Sequence, residues 1–134
     1  MPVTKVRLLA AVLTVLAGVG CSKNEHNLIP SQLAGFWTTD APRYQGRFLE
    51  LYEAFVIVGE GPEHSPSVQM VDKVIAHSEQ NDLALTIYST DLEGGHYELT
   101  LQFNPANHGE IRFPHQKEVW KRYSETEGKV SKSR

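Results

Sequence analysis

The sequence predicts a small all-β domain, an antiparallel meander of about eight strands closed as a barrel or stacked as a sandwich. Three observations carry this. Apolar and polar residues alternate with period two over most of residues 28–123, turn-forming clusters recur about every ten residues, and no long stretch shows the 3.6-residue period of a helix.

The elements follow in order. Pro30-Ser31-Gln32-Leu33-Ala34 is the one helical suggestion, a single turn with proline early, where its missing N–H costs little. Gly35–Asp40 opens the first strand. Phe48, Glu50 and Tyr52 then alternate with Leu49, Leu51 and Glu53, and Ala54–Gly59 is a β-branched run. Val68, Met70, Val74 and Ala76 share one parity and are expected on one face. Leu83, Leu85 and Ile87 alternate with Ala84, Thr86 and Tyr88. Tyr97, Leu99, Leu101 and Phe103 alternate with Glu98, Thr100 and Gln102, the cleanest case in the chain. Ile111 and Phe113 form a short strand, and Val119–Tyr123 ends the set. Gly59-Glu60-Gly61-Pro62, Glu79-Gln80-Asn81-Asp82, Glu93-Gly94-Gly95 and residues 104–109 are the intervening turn clusters.

The domain is preceded by a segment of different character. Lys5 and Arg7 stand before Leu8–Val19, an apolar run broken only by Thr14 and glycine, and Gly20-Cys21 is followed at once by polar Ser22-Lys23-Asn24-Glu25. A basic start, a short apolar core and small residues before a cut describe a secretory signal. About a dozen apolar residues fall short of the ~20 needed to span a bilayer. The chain's only cysteine, at the cut, resembles the lipobox of bacterial lipoproteins, although Gly18 stands where that pattern prefers leucine. The resemblance implies that Cys21 is acylated and becomes the first mature residue, with palmitate among its chains. It implies a protein of the bacterial cell envelope, anchored in the membrane by lipid, most simply the outer membrane. The organisation expected is therefore a signal peptide over 1–20, a lipidated tether over 21–27, the β domain over 28–123 and a disordered tail over 124–134. The rival is an ordinary cleaved signal that leaves a free thiol.

Removing residues 1–20 leaves 114 residues with 11 basic and 16 acidic side chains, a formal charge of −5. This length suits one domain. The acidity argues against nucleic acid, whose binding needs a basic face. With no cysteine beyond Cys21, an intramolecular disulfide and a c-type haem are both excluded.

A helical turn followed by Gly35-Phe36-Trp37 resembles the opening of lipocalins and related small barrels. That resemblance implies that Trp37 closes the base of a barrel, with Arg122 packed across its ring and the first and last strands adjacent. It also raises the possibility of a small apolar ligand inside. The alternative is a β-sandwich in which Trp37 is an ordinary core aromatic. Trp120 is expected on the barrel's outside or at an open edge.

Residues bearing chemistry are scattered. Of six histidines, His96, His108 and His115 are the one grouping that turns could bring together, but none forms a short-spaced ligand pair. No metal site and no cofactor are expected. The carboxylates show no opposed pair, the serines no nucleophile elbow, and no glycine-rich phosphate loop opens a helix, so no enzymatic activity and no catalytic residue are expected. The connection over residues 38–47 stands out. It places Arg43, Tyr44 and Arg47 in an otherwise acidic protein, and arginine and tyrosine are over-used at binding hot spots. The reading is a non-enzymatic envelope lipoprotein that binds a protein partner or supports an assembly, with small-ligand binding as the alternative.

Overall fold

The computed structural model describes residues 24–124. The signal segment, Cys21 and residues 125–134 of the expected tail lie outside the described residues. Among the described residues nine strands run β1 (Asn24–His26), β2 (Gly35–Thr38), β3 (Arg47–Leu51), β4 (Phe55–Glu60), β5 (Ser67–Glu79), β6 (Asp82–Asp91), β7 (His96–Asn104), β8 (Glu110–Arg112) and β9 (Val119–Arg122). Among the described residues the helical structure amounts to three 3₁₀ turns, of which Ser31–Leu33 is the turn expected before the first strand.

Strands β2 to β9 form an antiparallel meander, and β9 pairs back onto β2 to close an eight-stranded barrel. The first and last barrel strands are neighbours, with Trp37 opposite Arg122, as the barrel reading requires and the sandwich does not. The ninth strand, β1, lies in the segment expected as a tether and pairs with Val74–Ala76 of β5. Its pairing reaches β5 beyond Met70, the last residue of β5 in register with β4.

The barrel interior is a filled core. Leu49, Leu51, Val56, Leu85, Ile87, Leu101, Phe103 and Ile111 point inward from successive strands, and Ile29 and Leu33 plug one end. Each such side chain contributes roughly 1.5–3 kcal/mol on full burial. Two polar side chains, Gln69 and Ser89, sit among them. The Ser89 hydroxyl donates to Gln69 Oε1 at 2.7 Å, so neither is buried without a partner.

Two expectations fail for reasons of register. Val68 and Met70 do not share a face with Val74 and Ala76. A β-bulge between Val71 and Lys73 inserts one extra residue and flips the parity of β5. Gln69 and Val71 therefore point inward before the bulge and Val74 and Ala76 after it, while Val68 and Met70 face solvent. Trp120, expected outside, is only 5 % exposed and belongs to the core. It shares parity with Arg122 on β9, so if one faces inward the other must as well.

One barrel end is closed by Trp37, which is fully buried. Its indole N–H donates to the Leu33 carbonyl at 3.0 Å, holding the 3₁₀ turn across the opening. Phe103 meets its ring edge-on at 6.1 Å. The Arg122 guanidinium lies 4.7 Å from the ring centroid and donates to the carbonyls of His108 (3.0 Å) and Gln32. One residue thus binds an aromatic face, the N-terminal turn and the β7–β8 connection. Gly35 makes room for it: a Cβ there would come within 3.1–3.2 Å of the arginine side chain, and its φ of +147° is strained for other residues.

Trp37→Ala is expected to cost about 3–5 kcal/mol in a denaturant titration, the scale of large-to-small core changes. Arg122→Lys keeps the charge but cannot reproduce a planar group that reaches two carbonyls while stacked. It is expected to lose about 1.5–3 kcal/mol, the range for hydrogen bonds to charged groups. A lysine variant as stable as the parent would remove the guanidinium's geometric role.

Candidate recognition site at the barrel mouth

In a meander the connections alternate between ends. The β3–β4, β5–β6 and β7–β8 connections lie with Trp37 at the closed end. The β2–β3, β4–β5, β6–β7 and β8–β9 connections rim the opposite end, the mouth. This alternation separates the histidines. His96 and His115 lie toward the mouth and His108 at the closed end, so the suggested histidine grouping does not form. Among the described residues no cluster of three or more His, Cys, Asp or Glu could hold a metal.

The mouth brings Arg43, Tyr44 and Arg47 together. A 3₁₀ turn over Pro42–Tyr44, started by proline, folds the β2–β3 connection so that Tyr44 points back over the opening. Its ring lies 5.7 Å from that of Trp120, and Phe113 meets Trp120 edge-on at 5.6 Å. The guanidinium carbons of Arg43 and Arg47 stand 4.9 and 5.7 Å from the Tyr44 centroid. Tyr44 therefore serves as a lid over Trp120 and as a platform for two cations.

Beneath this lid is a cleft of about 220 Å³, walled by Tyr44, Leu49, Val58, Leu99, Phe113 and Trp120, with Arg47, Glu60 and Gln116 at its rim. The Trp120 indole N–H donates to Gln116 Oε1 at 3.3 Å. A larger groove of about 480 Å³ lies on the outer face beside residues 38–42. Its aromatic floor is already satisfied, since Phe36 and Phe48 stack on each other at 4.9 Å. The mouth cleft, with apolar walls and two guanidiniums beside it, has the stronger recognition chemistry.

The lid is held by side chains. Backbone–backbone hydrogen bonds of residues 39–46 are internal to the segment, Tyr44 to Ala41 and Gln45 to Pro42. What ties it to the far rim is the ion pair of Arg43 Nη2 with the two Glu118 oxygens at 2.7 and 2.8 Å. The hydrogen bond from Arg43 holds the Glu118 carboxyl below its usual pKa and raises that of Arg43. The other carboxylates with depressed pKa have local structural partners. Asp91 accepts from the Tyr97 hydroxyl and from the backbone N–H groups of Gly95 and Glu93 in its own turn. Glu79 is held chiefly by His77, and Gln102 also donates to it.

Sequence reasoning found the three residues of the β2–β3 connection but missed Trp120, Phe113, Glu118 and Gln116, which complete the mouth. For Trp120 the signal was present in its shared parity with Arg122. No protein-family model, curated protein sequence or solved structure matches the chain.

The Arg43–Glu118 contact has a definite pH dependence. A carboxyl whose folded pKa is depressed contributes stability that is present above its ordinary value and lost as pH falls through the folded one. Amide hydrogen exchange in residues 39–46 is therefore expected to speed up below the usual glutamate range, after correction for intrinsic rates. Glu118→Gln should show the faster exchange already at neutral pH and lose the pH step. An unchanged step in that variant would assign it to another group.

Proposed function

We propose that this protein is a non-enzymatic, lipid-anchored barrel of the bacterial cell envelope that binds a protein partner through its mouth. The observation that carries the reading is the contrast between a filled interior and a small aromatic cleft flanked by two arginines. Small-molecule sites are typically about 300–1,000 Å³ and bury most of their ligand. At about 220 Å³ the mouth cleft is below that range. It is better matched to one anchor side chain of a protein, the common arrangement at binding hot spots. Binding of a small apolar ligand is the second reading, supported by the apolar walls of the same cleft.

The anchor is proposed from the sequence: a basic start, a short apolar run and a single cysteine at its end. More than one acyl chain gives stable membrane attachment. Neither a cofactor nor nucleic acid has a place in this reading.

Two measurements test it. Intact mass of the membrane fraction from a lipoprotein-processing host should show loss of residues 1–20 and added acyl mass on Cys21. A photo-crosslinking residue at position 44 should give a discrete adduct in the native envelope that position 81, at the closed end, does not give. Arg47→Ala should weaken that adduct. Equal adducts from both ends would argue against a mouth-directed partner.

A further inference from the structure

We propose that Glu118 is an internal stand-in for a carboxylate on the protein partner. A partner segment with an acidic residue beside a large apolar one replaces Glu118 on Arg43 and seats the apolar side chain in the cleft. This rests on the partner-binding reading and names the chemistry the partner must present.

Four observations support the exchange. First, Arg43 is reachable: its side chain is 60 % exposed, against 17 % for Glu118, and only Nη2 is engaged in the pair. An incoming carboxylate can approach the remaining guanidinium edge before Glu118 leaves, and such forks favour two-point contact. Second, Arg47 lies 5.7 Å from the Tyr44 centroid, opposite Glu60 across the β3–β4 pair, and among the described residues no ion pair to it forms, so a second guanidinium stays within reach beside the cleft. Third, the apolar walls lie directly under the ring that Arg43 packs on, so one dipeptide-sized segment can satisfy the cation and the cleft together. Fourth, the lid is joined to the far rim through side chains, so replacing one carboxylate by another breaks no backbone ladder. Exposed ion pairs are weak, which keeps the exchange close to balanced until the apolar anchor adds its burial.

The test uses the purified full chain in detergent and two probes, N-acetyl-leucyl-glutamate amide and N-acetyl-leucyl-glutamine amide. The readout is the Trp120 indole N–H resonance during titration. The glutamate probe is expected to bind better than the glutamine probe. Glu118→Gln should tighten the glutamate probe about fivefold, because the internal competitor has lost its charge. Arg43→Ala should erase the preference between probes.

The two variants open the same latch, so a contact that only braces the lid predicts the same response from both. Equal shifts in Glu118→Gln and Arg43→Ala, or no preference for the glutamate probe, would overturn the proposal. In the envelope, a stronger position-44 adduct in Glu118→Gln and a weaker one in Arg43→Ala supports it. An adduct unchanged by both leaves the partner reading standing and removes this one. Loss of the mouth-specific adduct in the parent protein removes the partner reading itself.

Discussion

The stacking of Arg122 on Trp37 is the contact on which the barrel's closure depends. Strand pairing alone can bring β9 beside β2, but the ladder is short, two residue pairs and one further hydrogen bond from the Tyr123 N–H to the Phe36 carbonyl at 2.7 Å. So short a ladder leaves much of the joint to side chains. Trp37 fills the base and hydrogen-bonds the Ser31–Leu33 turn, and Arg122 clamps the ring to that turn and to the β7–β8 connection. The first strand, the last strand, the N-terminal plug and one far connection therefore meet at two side chains. The cost is a buried Arg122 Nε with no hydrogen-bond partner. The interaction with the ring face and the two carbonyl contacts offset it.

Much of this was legible in the sequence because period-two alternation reports directly which face is buried. Leu85 and Ile87, Leu101 and Phe103, and Leu49 and Leu51 all face the core as their spacing requires. One failure came where periodicity breaks without a signal. Asp72 lies where β5 gains its extra residue, and nothing in Val71-Asp72-Lys73 announces a bulge, so Val68 and Met70 took the wrong face. Trp120 was a different failure. Its hydrophobicity and its register with Arg122 agree on the interior, where it lies.

The candidate site was legible only in part, because a mouth is assembled from connections distant in sequence. Arg43, Tyr44 and Arg47 stood out within one segment. Glu118 and Trp120 lie more than seventy residues away and become neighbours of that segment only when β9 closes on β2. The same closure makes the two ends unlike. The base is held by a buried indole and carbonyl contacts, while the mouth is held by an exposed ion pair and ring packing. Local opening concentrates where contacts are few and solvent-exposed, so the lid can move while the base stays fixed.

The pairing of β1 with β5 bears on solubility. A closed barrel has no unpaired strand margin, but β5 is thirteen residues long and outruns β4. Its Val74–Ala76 stretch would otherwise offer main-chain donors and acceptors as a template for another chain. Asn24-Glu25-His26 covers that stretch with three exposed polar residues, too short and too hydrophilic to invite further strand addition. A shortened chain that begins at Leu28 would retain the whole eight-stranded barrel and still expose a self-association edge. The residues just before the barrel thus cover an edge that would otherwise favour self-association at high concentration.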